Sequence, residues 1–271
     1  MIDFNLGDDL KFKILFLGDV VGRQGRKVLT LNLKDLISEL KIDLVIANGE
    51  NSSGGLGIDP RTAGEIFASG VDFITTGNHV WDKKEIRSYL NENSDRIIRP
   101  ANFSEGAPGV GVATIKKGNL PSVAIFNLMG RVFMGDLLDC PFKKIGSLME
   151  NIEADFSFLD FHAETTSEKV SMGFHVDGRI SMMVGTHTHV QTADLRFLPK
   201  GTAYITDAGM CGAYDSVIGM EVGPVLERFK TGLPARFEPA KGRAQINAVA
   251  FECCSEQKKV VSTERILRVY P

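Results

Sequence analysis

Asp19, Glu50, Asn51, Asn78, His162, His187 and His189 each stand where a short apolar run stops: FLGD, VIANGEN, FITTGNH, FLDFH and MVGTHTH. These side chains offer carboxylate, carboxamide and imidazole donors, with no thiolate. That mixture suits Fe, Mn or Zn in a reactive site better than a structural cysteine-type zinc. Seven donors are too many for one ion that keeps an open position, and they suit two ions sharing one carboxylate. Glu50 is the natural bridge, because both of its oxygens can be used. Two ions about 3.5–4 Å apart can clamp a phosphoryl group, generate a bridging hydroxide and stabilise the leaving oxygen. Four of the chain's five histidines fall in these clusters; His175 does not and reads as structural.

His79 follows Asn78 directly, so the two cannot easily serve one ion. His79 therefore reads as the group that stabilises phosphate charge or protonates the leaving oxygen. Asp82 either orients His79 or caps a helix starting at Lys83. Arg131 and Phe133, in GRVFMGDLLD, are candidates to line a base or ribose pocket. Their alternative is a surface loop with one buried Phe. GDVVGRQGR matches neither a dinucleotide fingerprint nor a P-loop. Its glycines read first as a tight turn into a helix, and second as backbone N–H groups near Gly22 to Gly25 for a phosphate.

The elements that must position these residues follow from periodicity. Short Val/Ile/Leu/Phe runs read as buried parallel strands at Phe12 to Leu17, Leu44 to Ala47, Phe73 to Thr75 and Ile97 to Arg99. Helices are expected over Gly25 to Leu40, Arg61 to Ala68 and Lys83 to Leu90. This alternation predicts a parallel sheet covered by helices. In such sheets ligands bind outside the carboxyl ends of the strands. Further strands are expected at Val110 to Ile115, Val123 to Leu128, Phe156 to Phe161 and Ser181 to Val184. Helices are expected over Phe142 to Ile152 and Ser167 to Phe174, and from Val222. The tail alternates as sheet over Ala203 to Thr206, Ala244 to Phe251 and Val260 to Val269. Without repeat or linker, residues 1–271 read as one domain, with 129–150 the expected cap or substrate-lining insertion.

The chain has 271 residues, 43% hydrophobic, and a net charge of -3. Such a charge gives no broad basic field, so no stable nucleic-acid complex is expected, although a local basic patch is compatible with it. No apolar run reaches a membrane span. The start, MIDFNLGDDLKFK, is a ragged polar extension to about Asp9, unlike a signal or transit peptide. Cys140, Cys211, Cys253 and Cys254 form no CxxC pair and read as free thiols in a reducing cytosol. A cytoplasmic location is expected.

In order, GDVVG, GEN, GNH, DFHAE and GTHTH resemble the five motifs of the calcineurin-like metallophosphoesterase superfamily. That pattern runs GDxHG, GDxxxRG, GNHE, an isolated His, then GHTH. Val21 replaces the usual first-motif His, Glu50 replaces the second-motif Asp, and Thr186 precedes the HTH run. With NGEN, GNHVWDKKEI, RPANF, DFHAETTSEK, VGTHTHVQTAD and GTAYITDAGM, the chain resembles the YmdB-like branch. The resemblance implies a four-layer αββα sandwich, two mixed sheets flanked by helices. It implies one ion on Asp19, Glu50, Asn51 and His189, a second on Glu50, Asn78, His162 and His187, and His79 as the catalytic histidine. It implies two transition-metal ions per chain, iron first with Mn or Zn as alternatives. It also implies self-association into a homo-oligomer and hydrolysis of small phosphodiesters, notably 2′,3′- and 3′,5′-cyclic nucleotides. A phosphomonoesterase or nuclease with the same metal centre, and a regulatory scaffold in bacterial signalling, are the rival readings.

Overall fold

The computed structural model describes residues 11–271, so the expected N-terminal extension lies outside the described residues. The first half of the chain forms β1 (Lys11–Leu17), β2 (Asp19–Val20), α1 (Gly22–Leu40), β3 (Leu44–Asn48), α2 (Pro60–Ala68), β4 (Phe73–Thr75), α3 (Ile86–Glu92), β5 (Val112–Ile115) and β6 (Val123–Met129). The second half forms α4 (Pro141–Met149), β7 (Phe156–His162), α5 (Thr166–Val176), β8 (Met182–Thr186), β9 (Arg196–Phe197), β10 (Ala203–Ile205), β11 (Met210–Ala213), α6 (Val222–Thr231), β12 (Ala244–Cys254) and β13 (Lys259–Tyr270).

Side-chain alternation along the strands creates the layers. On β1, Phe12, Ile14 and Phe16 face one way and meet Phe156, Phe158, Met182 and Val184 of the opposing sheet. Rings stack across this layer, with Phe12–Phe156 centroids 5.1 Å apart and Phe16–Phe158 centroids 5.0 Å apart. Leu15 and Leu17 face the other way, onto Val28, Leu29 and Leu33 of α1. On the far sheet, Leu159, Phe161 and Met183 face outward onto Ile145 of α4 and Met172 and Val176 of α5. Helices, sheet, sheet and helices follow one another, which is the αββα sandwich. Each such buried Leu or Phe contributes roughly 1.5–3 kcal/mol.

One sheet has seven strands, ordered β2-β11-β12-β1-β3-β4 with β13 also paired to β12. The other has six, ordered β5-β6-β7-β8-β10-β9. The first sheet is mixed rather than parallel throughout. β1, β3 and β4 run parallel, but β12 enters between β1 and β11 in the antiparallel sense. Alternation along a buried strand does not report its direction; the mixed sheet that the resemblance implies is found, while periodicity alone suggests a parallel one. The expected strand at Ile97 to Arg99 is one bridge, Ile74 to Ile97, because Pro100 stops the ladder. α1 starts three residues earlier than its apolar period, and α3 starts later, after a 3₁₀ turn over Asn78–Trp81. Residues 129–150 comprise the end of β6, an irregular stretch and α4. All four cysteines are free, and Cys211, Cys253 and Cys254 are buried. No helix among the described residues is long and apolar enough to cross a membrane.

Candidate metal centre

The parallel strands β1, β3 and β4 of one sheet, and β7 and β8 of the other, end on the same edge of the sandwich. β1 ends at Leu17, and Gly18 lets the chain turn onto β11; a Cβ there would lie 2.1 Å from the Gly209 carbonyl oxygen. Asp19 follows, fully buried, and its Oδ2 accepts the His187 N–H at 3.2 Å. After β3, the Asn48 side chain accepts the Glu50 N–H at 3.1 Å and sets the turn that presents Glu50 and Asn51. After β4, Gly77 passes so close that a Cβ would lie 2.3 Å from Glu50 Oε2 and 2.4 Å from His162 Nε2. His162 is the last residue of β7, and His187 and His189 follow β8. Both loop histidines hold positive φ, 101° and 64°, a conformation that costs non-glycine residues energy and persists only where neighbours enforce it.

These donors converge. His162 Nε2 lies 2.9 Å from Asn78 Oδ1, 3.0 Å from Glu50 Oε1 and 3.0 Å from His187 Nδ1. One imidazole nitrogen carries at most one proton, so it cannot satisfy three acceptors at once. A cation between them would. Beside this group, Asn51 Nδ2 lies 3.1 Å from both Glu50 Oε1 and His189 Nε2, and His189 Nε2 lies 3.7 Å from Asp19 Oδ1. Asp19 Oδ1 is buried with no hydrogen-bond partner among the described residues. An orphaned buried carboxylate oxygen is costly unless something positive completes it. The residues present therefore fit a pair of cations, with Asn51 turning its amide oxygen inward. Glu50 adjoins both groups.

The charges are tightly coupled. Burial pushes Glu50 up, but the adjoining His162 and the His79 N–H outweigh it and hold the carboxyl down to about 2. Burial opposes a charge on His162, yet Glu50 and Asp19 lift it to about 9. Burial and the charge on His162 push His187 down to about 3. Burial raises the Asp19 carboxyl.

Each histidine of the cluster has its outer nitrogen occupied. The His162 Nδ1–H donates to Thr186 Oγ1 at 2.9 Å, and the Thr186 hydroxyl donates to Asp160 Oδ1 at 2.7 Å. Asp160 Oδ2 accepts from Thr75 Oγ1 at 2.5 Å and Asn48 Nδ2 at 3.0 Å, so this buried carboxylate joins the two sheets. Burial raises Asp160 to about 6. His187 Nε2 meets Glu164 at 3.1 Å, and His189 Nδ1–H donates to the Ile218 carbonyl at 2.8 Å. These partners fix which nitrogen faces inward. Asp207 Oδ2 accepts from both the backbone N–H (3.1 Å) and the hydroxyl (2.7 Å) of Thr188, the residue between the two loop histidines.

His79 stands at the mouth. Its N–H donates to Glu50 Oε2 at 3.0 Å, and its Nδ1–H donates to Asp82 Oδ2 at 2.9 Å. Asp82 thus orients His79 and does not cap a helix at Lys83. The structure does not bring Arg131 or Phe133 into the cluster. The Arg131 backbone N–H bonds Glu168 at 3.0 Å, and Phe133 is 86% exposed, so the alternative of a buried Phe fails. From the same loop, Asp136 does feel the charges of His79 and Glu50. The Gly22 N–H is spent on the Asn51 carbonyl and the Gly25 N–H on Val21, which removes both from phosphate binding. His175 lies apart on α5, bonded to the Phe142 carbonyl at 3.0 Å.

Asp160, Thr186, Lys169, Asp207 and Glu164 carry supporting contacts that residue types at strand ends did not single out. A usable signal was there for Asp160, a lone charge inside the apolar run FLDFH.

Two mixed sheets between helix layers, with oxygen and imidazole donors on one shared edge, define a metallophosphoesterase-type fold. Two solved structures match it closely. A hypothetical protein from Thermus thermophilus superposes with a TM-score of 0.90 at 41% identity, covering 96% of this chain and 100% of that one. A structure titled as a novel phosphatase, from Mycoplasma pneumoniae, gives 0.90 at 39% identity, covering 96% and 94%. The chain belongs to the YmdB-like protein family, whose model matches residues 15–266. A relative in Bacillus subtilis (strain 168), named 2′,3′-cyclic-nucleotide 2′-phosphodiesterase, is 47% identical over 94% of this chain and 96% of its own length.

Proposed function

We propose that this chain is a metal-dependent phosphodiesterase that hydrolyses small cyclic nucleotide diesters, 2′,3′-cyclic ones first. The observation that carries the reading is the convergence of Asn78, Glu50 and His187 on His162 Nε2, beside the unpartnered Asp19 Oδ1. Asp19, Glu50, Asn51 and His189 would hold one ion, and Glu50, Asn78, His162 and His187 the other. When bound, two such ions supply positive charge for the phosphoryl oxygens and an activated water. The donor set suits iron, with Mn or Zn as alternatives.

The chain's own groups do the rest. His79, at the mouth and oriented through Nδ1 by Asp82, would give its single outer N–H proton to the departing ribose oxygen. The charge of His79 reaching Asp136 supports the loop after β6, part of the 129–150 insertion, as the segment that would line the substrate side. The relative's name and the family support a diester substrate. A cytoplasmic, self-associating enzyme of one domain is the accompanying picture.

The experiment is hydrolysis of 2′,3′-cyclic AMP, 3′,5′-cyclic AMP and bis-p-nitrophenyl phosphate, with p-nitrophenyl phosphate as monoester control. Wild type and His79→Ala are compared at known metal content. Diester cleavage that is lost in His79→Ala supports the reading. Cleavage of the monoester alone would make the protein a phosphomonoesterase, and a metal-loaded protein without turnover would make it a scaffold.

A further inference from the structure

A broad groove of about 970 Å³ lies on the outer side of the Asn51 turn, between the start of α1 and the segment leading into β12. Arg23, Lys27, Arg61, Lys241 and Arg243 line it, and Glu238 is the one acidic side chain on its lining. A second basin of about 590 Å³ continues it along α1, sharing Arg23, Arg26, Lys27 and Arg61 and adding Thr30, Leu31 and the acidic Glu65. Residues 23 and 27 are four apart, on one helix face, so the shared wall runs for ~6 Å along α1, and Leu31 extends that face in the second basin.

Most surface cations are neutralised locally, and several here are. Arg26 and Arg61 share Glu65, at 2.5 Å each, and Arg243 pairs with Asp215 at 2.8 Å. Arg23, Lys27 and Lys241 are exposed and form no ion pair among the described residues. Three uncompensated cations around one concavity, on a chain of net charge -3, repel one another unless an anion is drawn in. The groove also has an aromatic wall. Phe237 is 37% exposed, with the Arg228 guanidinium 5.3 Å from its ring centroid.

We propose that this groove binds single-stranded nucleic acid, with Arg23, Lys27 and Lys241 on successive phosphates and Phe237 stacking a base. Cations that track a backbone beside an aromatic platform are the usual means of holding a single strand without reading its sequence. An open trough with cations spread along it fits a chain passing through. A closed pocket with convergent donors would fit a small anion instead. The groove lies outside the candidate metal centre, so the proposal stands independently of the reaction assigned there. It revises the expectation from net charge that no such complex forms, because a total of -3 hides a local excess.

The test is fluorescence anisotropy of labelled oligoadenylate and its deoxy counterpart on the full-length, metal-loaded chain, across a salt series. Arg23→Gln/Lys27→Gln/Lys241→Gln and Phe237→Ala are measured alongside, with inorganic tripolyphosphate as competitor. Three phosphate contacts predict a log–log salt slope of about -2, falling toward zero in the triple variant. Phe237→Ala should weaken binding roughly 5- to 150-fold. The triple variant should keep wild-type turnover of 2′,3′-cyclic AMP and wild-type melting, which separates lost binding from lost folding. No binding at low salt, or binding indifferent to the triple variant, overturns the proposal. Equal affinity for tripolyphosphate overturns it in favour of a small-anion site.

Discussion

Lys169 Nζ lies 2.7 Å from Asp207 Oδ2, and both side chains are closed to solvent. The same Asp207 oxygen holds Thr188, and Oδ1 accepts the Gly209 N–H at 2.8 Å. One buried ion pair therefore braces the loop whose two histidines carry positive φ. Lys169→Met leaves Asp207 as an uncompensated buried charge and should cost ~3–5 kcal/mol of stability. Urea denaturation of the metal-free protein measures it. A loss below about 1 kcal/mol would show that the loop does not need the pair.

Thr186 relays Asp160 to His162. Thr186→Val keeps the shape but strands the buried His162 Nδ1–H, a cost of about 1–3 kcal/mol. It also frees the ring to adopt the wrong tautomer, so metal affinity should fall roughly 10- to 100-fold. Calorimetric titration with Mn reads this, and unchanged affinity would contradict the relay.

His79 and Asp82 separate chemistry from metal binding. His79→Ala should lower diester turnover by about 10²–10⁴ with metal content unchanged. Asp82→Asn, which keeps a hydrogen-bonding group beside Nδ1, should cost less than His79→Ala. A His79→Ala protein that loses metal instead would place His79 among the ligands.

The pH dependence of metal uptake follows from His162. Its folded value, about 9, lies above the ordinary 6.5, so the stability its charge gives the metal-free fold is complete below 6.5 and lost as pH rises through 9. Glu50 runs the other way: its folded value of about 2 lies below 4.5, and its contribution is lost as pH falls through 2. With His162 as a proposed ligand, an incoming ion would displace its proton, so affinity should climb with pH up to about 9, by as much as tenfold per unit. Uptake that is flat between pH 6.5 and 9 would contradict the assignment of that charge.

What the sequence made legible was what local order encodes. A run such as FITTGNH shows both a buried strand and the residues at its end, so Asn78 and His162 could be placed at one edge before any coordinates. Asp160 could not be given a role, because its partners Thr75 and Asn48 come from the other sheet, 85 and 112 residues away. Lys169 and Asp207 meet across 38 residues. β11, four residues long, has too little pattern to register, although it holds Asp19 through β2. The exposure of Phe133 was illegible for the opposite reason: an apolar residue in an irregular stretch says nothing about which way it faces.

The most direct test of the two-ion centre is metal content after reconstitution and dialysis, measured on wild type, Glu50→Gln, Asn51→Ala and Asn78→Ala. Because Glu50 adjoins both donor groups, wild type should hold about two ions per chain and each asparagine variant about one, whereas Glu50→Gln should lose both. A Glu50→Gln protein that retains one tightly bound ion would show that the carboxylate is not shared, and the account of the centre would be wrong.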